Sequence, residues 1–352
     1  MLHIAPPLLA WFYKNRRTLT FRENPTPYHI WVSEIMLQQT RMTAVLPYYA
    51  RFMEALPTPV HLAACPPDRL HKLWEGLGYY SRADNLRRAA ILLTEKYGGN
   101  LPATYEELLA LPGIGEYTAG AIASISYGIP VPAVDGNVMR VFARLYNDRA
   151  DILISETKKR YTARVREELP EDTPGDFNQA LMELGALVCV PGEPHCADCP
   201  LSERCAAYTA GSAAHLPVRG EKKPRRLEKI TVLLTHCEGK WLLMRRPEKG
   251  LLSGLWQPML YEEELSETDT IARLRGMFPQ ASIHVERPLP SARHLFSHIE
   301  WQLSGWIVHL DGNGPLPALP DGYAWAAAGD MADFAIPGAF KAYKPLLLGE
   351  GT

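Results

Sequence analysis

Residues 111–138, LPGIGEYTAGAIASISYGIPVPAVDGNV, constrain this chain more than any other stretch. They open on a tight turn, Leu111-Pro112-Gly113-Ile114-Gly115. Two glycines one residue apart let successive backbone N–H groups point into one concavity that suits a phosphate oxygen. The small-residue run 118–127 reads as a helix, and the positive end of its dipole adds to the same place. Asp135 follows in Val134-Asp135-Gly136-Asn137-Val138, set between apolar residues and a glycine. The commoner use of such an aspartate is to cap the next helix, expected over residues 138–145. Arg140 and Arg144 on that helix are expected to be available to phosphates.

Nearer the N-terminus, residues 5–17 read as a short amphipathic helix with Leu8, Leu9 and Phe12 on one side. After Phe21-Arg22-Glu23-Asn24-Pro25, Thr26 suits an N-cap and Pro27 a first helical turn. The helix that follows is expected to run from 28 to about 46. Ile30, Glu34 and Leu37 are spaced by four and three residues, so Glu34 shares a face with apolar side chains. Such an acid is either solvated at the edge of the stripe or half-buried, and burial raises a carboxyl pKa toward the range of a general acid. Residues 51–110 read as helices alternating with short loops. Within them, Trp74-Glu75-Gly76-Leu77-Gly78-Tyr79-Tyr80-Ser81-Arg82 puts paired aromatics on a flexible glycine turn, with Arg87 and Arg88 beyond. An aromatic there can wedge into a base stack; the alternative is that the tyrosines are core.

Beyond a charged, solvated helix over 155–169 and an apolar helix over 177–187 that carries Glu183, four cysteines follow: Cys189, Cys196, Cys199 and Cys205. The chain has six cysteines in all, and Cys65 and Cys237 stand apart. Four thiols crowded into one segment indicate a metal site in a reducing compartment more than a disulfide scaffold. They can ligate zinc or an iron–sulfur cluster, and spacing alone does not choose. The single Cys-x-x-Cys pair lowers the zinc reading. The net charge of −2 gives no global attraction to nucleic acid, so any such contact rests on local basic groups and backbone amides. No apolar run approaches a membrane span, and the N-terminus lacks the pattern of a signal peptide.

At 352 residues the chain is expected to hold two domains. Residues 208–229 read as a flexible linker carrying the densest basic run: Arg219, Lys222, Lys223, Arg225, Arg226 and Lys229. From Ile230 the texture changes. Residues 231–234 and 240–244 read as strands of a hairpin around Glu238-Gly239, and 294–301 alternates like a strand.

Four features together resemble the adenine DNA glycosylases of the MutY type, in the helix-hairpin-helix DNA glycosylase superfamily. They are LPGIG with Asp135 beyond it, SEIMLQQTR around Glu34, the cysteine spacing, and a C-terminal part with a Nudix-like loop at 250–258 and Phe-Ser-His at 296–298. The resemblance covers about residues 8 to 345. It implies a multidomain fold, with an all-α helix-hairpin-helix glycosylase region and iron–sulfur cluster loop over 1–210. A linker, 211–229, and a degenerate, α+β Nudix-like domain over 230–352 complete it. It implies base-excision repair by hydrolysis of the N-glycosidic bond of adenine mispaired with 8-oxoguanine or guanine, after the adenine is flipped out of the duplex.

The resemblance also implies roles. Glu34, Asp135, Tyr117 and Asn137 would be catalytic; Arg22, Leu37 and Glu183 would line the adenine pocket; Gln39, Tyr79, Gly113 and Gly115 would contact DNA. Phe296, Ser297 and His298 would read the lesion, and Cys189, Cys196, Cys199 and Cys205 would hold a [4Fe–4S] cluster. Bifunctional relatives of the endonuclease III type carry lysine where this chain has Tyr117, so the activity would be monofunctional. Residues 261–278 lack the glutamate cluster that holds metal in active Nudix hydrolases, which argues against a pyrophosphatase. The implied partner is double-stranded DNA containing the mispair. The chain would act as a monomer, away from membranes, in the cytoplasm of a bacterium at its nucleoid.

Overall fold

The computed structural model describes residues 2–23, 25–221, 224–311 and 316–350. The chain divides into two compact units. One is the chain up to Ala64 together with Asp84–Glu221; the other is Cys65–Ala83 together with the chain after Glu221. Among the described residues, no helix is long and apolar enough to cross a membrane.

The first unit is helical. Leu8 and Phe12 of the helix Ala5–Asn15 are buried with Val138 and Phe142 of the helix Gly136–Leu145 and with Phe177 and Leu181 of the helix Pro174–Leu187. Thr26 caps the helix Pro27–Leu37 by accepting from the His29 N–H at 3.3 Å. That helix stops well short of residue 46. Gln39 takes a left-handed φ of 57°, which a right-handed helix interior does not accommodate, and a second helix, Met42–Ala55, starts beyond it. The charged helix Ser155–Glu168 is not solvated all round: Tyr161 and Val165 join the core. The start of the expected linker is also ordered. Residues 206–209 are helical, and Ala213 and Leu216 are buried in the same core.

The second unit holds a mixed sheet of β1 (Arg226–Cys237), β2 (Lys240–Arg245), β3 (Trp256–Tyr261), β4 (Ser282–Pro288), β5 (Ala292–Leu295), β6 (Ile299–Asp311) and β7 (Tyr323–Ala327). The order is β4-β6-β1-β3-β2-β7, with β5 added on β6. β1 begins at Arg226, before Ile230, because its parallel pairing with β6 starts at Arg226 opposite Ile299. Glu238 and Gly239 both have positive φ, the primed turn that matches strand twist in a two-residue hairpin. Alternation along β1 sends Val232 and Leu234 to one core and Leu233 to another, where Leu274 of the helix Glu267–Met277 packs.

Residues 65–83 are tied into this unit. Arg245 bonds Asp68 at 3.1 Å, Lys344 bonds Glu75 at 2.8 Å, and Lys72 donates to the Phe334 carbonyl at 3.1 Å. The basic run is not a free track. Arg226 pairs with Glu228 at 2.5 Å, Lys229 pairs with Glu264 at 2.7 Å, and Arg225 donates to the Phe296 carbonyl at 2.8 Å. Lys222 and Lys223 lie outside the described residues.

Candidate active site

Glu34 sits in a helix whose residues from Ile30 to Met36 are all buried, and it is itself only 8% exposed. The edge-of-stripe reading therefore fails. The Tyr117 hydroxyl donates to Glu34 Oε2 at 2.6 Å. Burial raises the Glu34 pKa and the nearby Asp135 charge adds to the rise, while the Tyr117 hydrogen bond and Arg22 oppose it. Burial and the same two carboxylates push Tyr117 well above its ordinary value, so its phenol keeps the proton that it donates. Its oxygen also lies 3.4 Å from Met182 Sδ.

Asp135 is the N-cap of the helix Gly136–Leu145, and its half-buried carboxylate has donors on both oxygens. Oδ1 accepts from the Val138 N–H at 2.8 Å, and Oδ2 accepts from the Asn137 amide at 2.9 Å. Burial raises its pKa, outweighing the Val138 and Asn137 donors and Arg140, which oppose the rise. Glu34 has one side-chain donor and sits amid apolar neighbours, whereas Asp135 has several donors. Both carboxyls are raised by burial, and the donors around Asp135 favour its charged form from more directions than the single hydroxyl at Glu34.

Arg140 and Arg144 are not offered to phosphates. They are 4% and 1% exposed and are committed to the loop that carries the cysteines. Arg140 donates to the Cys189 carbonyl at 2.7 Å, the Gly185 carbonyl at 2.7 Å and Asn137 Oδ1 at 2.8 Å. Arg144 donates to the carbonyls of Val190 at 2.8 Å, Gly192 at 3.1 Å and Leu216 at 3.0 Å, and to Cys189 Sγ at 3.3 Å. A continuous run of hydrogen bonds thus joins Cys189 to Asp135 through Arg140 and Asn137. Gly185 is required beside it: a Cβ there would meet Asn137 Cβ at 2.6 Å.

All four expected metal ligands, Cys189, Cys196, Cys199 and Cys205, line one small cavity with Arg144 and His195, and none is in a disulfide. Burial, with the neighbouring sulfurs, pushes Cys199 up to about 12 and also raises Cys196 and Cys205. Four converging sulfurs suit a polynuclear iron centre, whose charge would stabilise thiolates against the burial that raises Cys196, Cys199 and Cys205. Backbone N–H groups facing Cys199 and Cys205, and the Arg144 cation, favour the same state.

Glu183 is 1% exposed, and both its oxygens are engaged by Arg17, at 2.6 and 2.8 Å, with Arg22 at 3.6 Å. These cations outweigh burial and lower its pKa. Arg22 also acts on Glu34 electrostatically, so it stands between the two acids. Leu37 is half-buried at the end of the Glu34 helix. Sequence reading missed Arg17 and the true partners of Arg140 and Arg144. Only the certainty that a buried acid needs a cation pointed toward Arg17, and no spacing rule links residues 166 apart.

The two hairpin glycines differ. Gly113 has φ 76°, and a Cβ there would meet Asn85 Cβ at 2.6 Å. Gly115 has φ −97° and open space where a Cβ would stand. It is the N-cap of the helix Glu116–Tyr127 and leaves no side chain over the helix's first N–H groups. Gln39 is exposed at its left-handed turn.

In the second unit, Tyr79 is 47% exposed with φ 48°, while Tyr80 is buried, so the core reading holds for Tyr80 and not for Tyr79. Left-handed non-glycine residues concentrate at functional sites, and Gln39 and Tyr79 are two of the six among the described residues. The turn beneath Tyr79 is held firmly, contrary to its glycine content. Arg82 donates to the Leu77 and Gly78 carbonyls at 3.1 Å each, and Trp74 Nε1 donates to the Gly78 carbonyl at 3.1 Å.

Phe296-Ser297-His298 is not strand. It is the tip of the β5–β6 hairpin, closed by the Phe296 N–H on the Ile299 carbonyl at 2.8 Å. Phe296 packs edge-on against Trp301 at 4.9 Å, while Ser297 and His298 are exposed. Ser297 Oγ lies 3.1 Å from the Tyr79 hydroxyl.

Comparison with known proteins agrees with this geometry. Residues 32–171 match the HhH-GPD superfamily of base excision DNA repair proteins, and residues 230–344 match the NUDIX domain. The human adenine DNA glycosylase is 33% identical over 393 residues, which covers 95% of this chain and 72% of that protein. The adenine DNA glycosylase of Buchnera aphidicola subsp. Baizongia pistaciae is 37% identical, over 86% of this chain and 85% of its own length. Among solved structures, a thermostable thymine-DNA glycosylase superposes with TM-score 0.54 at 27% identity over 59% of this chain and 95% of that one. A non-covalent endonuclease III–DNA complex gives 0.50 at 26% identity, over 58% of this chain and 92% of that one. A chain this similar to adenine DNA glycosylases over nearly its whole length, with the helical superfamily fold and a Nudix-like second part, belongs to the adenine DNA glycosylase family.

Proposed function

We propose that this glycosylase removes adenine paired with 8-oxoguanine or guanine, with Glu34 as general acid. The observation that carries this reading is the buried Glu34 carboxyl, raised by burial, on the Tyr117 hydroxyl at 2.6 Å and within electrostatic reach of Asp135. Protonated Glu34 gives its proton to a ring nitrogen of the flipped adenine, N7 in this reading. The C1′–N9 bond breaks, and its electron pair leaves with the neutral base. The Asp135 carboxylate faces the oxocarbenium-like sugar, and water adds at C1′, giving a proton back to the Glu34 carboxylate, to leave an abasic site. This is the two-carboxylate logic of glycoside hydrolysis with a purine as leaving group.

Tyr117 is no amine, so no Schiff base forms at the position where bifunctional relatives carry lysine, and the product strand stays intact. Gly113, Gly115 and Gln39 meet the DNA backbone and stack in this reading. Tyr79 wedges into the stack, and the Ser297 hydroxyl reads N7–H or O8 of the lesion between Phe296 and His298. Cys189, Cys196, Cys199 and Cys205 would hold a [4Fe–4S] cluster. When bound, it supplies a rigid tie for the loop and takes no part in the hydrolysis.

Single-turnover assays on adenine opposite 8-oxoguanine, guanine and thymine test the proposal. Adenine should leave fastest opposite 8-oxoguanine, with no strand break before alkali. Equal rates opposite thymine would sink the lesion reading, and an unnicked product would remain consistent only with the monofunctional half.

A further inference from the structure

The sheet of the second unit carries a cluster that plays no part above. His236 on β1, His309 on β6 and His284 on β4 are register partners across three adjacent strands. They therefore project from one face, together with Glu286 and Asp311 two residues further along β4 and β6. His236 Nε2 lies 2.8 Å from Glu286 Oε1, and His309 Nε2 lies 2.6 Å from Asp311 Oδ1. An ionised carboxylate only accepts, so each Nε2 carries the proton in its bond. Both Nδ1 atoms then hold a lone pair if the rings are neutral, and they lie 3.2 Å apart. Two acceptors at that distance repel unless something positive stands between them.

Two imidazole nitrogens on a tetrahedral zinc stand about 3.3 Å apart. Imidazoles that bind metal characteristically give their second N–H to a carboxylate, which fixes the tautomer and strengthens the ligand. His236, Glu286 and His309 each place a ligand atom within 4.8 Å of the others. We propose that Nδ1 of His236 and Nδ1 of His309 bind a divalent transition metal of the zinc, nickel or copper class. Glu286 and Asp311 hold the two Nε2–H groups and supply neutralising charge, and water completes the coordination. The site is distinct from the cysteine loop and from the metal-binding glutamates that residues 261–278 lack. His284, 3.5 Å from Asp311 through Nε2, flanks it.

The test is a zinc titration of the full chain with its cysteine site loaded, followed by calorimetry. Wild type should take up one equivalent that His236→Gln and His309→Gln each weaken at least tenfold, while Asp311→Asn weakens it about tenfold through the ring it orients. The ring of Trp241, centred 5.1 Å from that of His236, gives a second readout: one equivalent of copper should quench its fluorescence in wild type and not in His236→Gln. Nitrogen-15 spectra of histidine-labelled wild type cover the case of a misfolded variant; one equivalent of zinc should move two Nδ1 resonances together. Equal zinc uptake by wild type and both histidine variants would overturn the proposal. So would spectra in which the pair shares one proton and zinc leaves it unmoved.

Discussion

The acid pocket of the first unit and the hairpin tip of the second solve opposite problems with similar side chains. Glu34, Tyr117 and Asp135 are withdrawn from water, and their pKa values are displaced because of it. Ser297 and His298 stand in water on a turn held by backbone bonds. The proposed proton transfer to a poor leaving group needs a carboxyl that stays neutral, and burial favours that form. Reading an opposite base needs groups free to meet a duplex, so their precision comes from the hairpin that carries them. The difference teaches where each unit tolerates change: the pocket in no member, the tip in all but the few atoms proposed to meet a lesion.

The largest effect should come from Glu34→Gln. Adenine release should fall by about 10²- to 10⁴-fold with duplex binding retained. Release within a few-fold of wild type would remove Glu34 as the acid. Next, Gly185→Ala would press on Asn137 and displace Asp135 without touching Glu34. A loss of about 10²-fold in single-turnover rate is expected for a shift of this kind, and an unaltered rate would show that Asn137 does not position the aspartate.

At the tip, Phe296→Ala with Ser297→Ala should lower the preference for 8-oxoguanine over guanine about tenfold, the cost of one lost buried hydrogen bond. The ratio of initial rates on the two duplexes measures it, and the rate opposite guanine should hardly move. Tyr117→Phe should change the rate near neutrality only about threefold, in line with one hydrogen bond, but should alter its pH dependence. The hydroxyl favours the charged form of Glu34, so its loss raises the Glu34 pKa further. Because the protonated acid is the active form, the alkaline limb should move to higher pH; movement the other way would reverse the assignment. The smallest effect is the coupling of Tyr79 to Ser297, where Tyr79→Phe and Ser297→Ala should be less than additive by about twofold.

Much of this was legible in the residues. Thr26 and Pro27 announced a helix start, and Asp135 before a helical run announced a cap; both are caps. The raised pKa of Asp135 comes from surroundings that no local pattern encodes. Arg140 and Arg144 were misread because an arginine on an amphipathic helix resembles a solvated cation. Their acceptors lie 45 and 72 residues away, at Gly185 and Leu216. Phe296 was taken for strand because alternation continues through the tip: its ring still points toward Trp301 while its backbone has already turned. Gln39 hid the end of its helix, since nothing in a Gln-Gln-Thr run marks a left-handed residue.

The run of hydrogen bonds from the Cys189 carbonyl through Arg140 and Asn137 to Asp135 has a bearing on the life of the molecule in a cell. An enzyme that excises an ordinary base is dangerous when half made. Here the carboxylate that would face the sugar is aligned by the same guanidinium that grips the cysteine loop. A distortion of that loop therefore has a direct hydrogen-bonded route, through Arg140 and Asn137, to the Asp135 carboxylate.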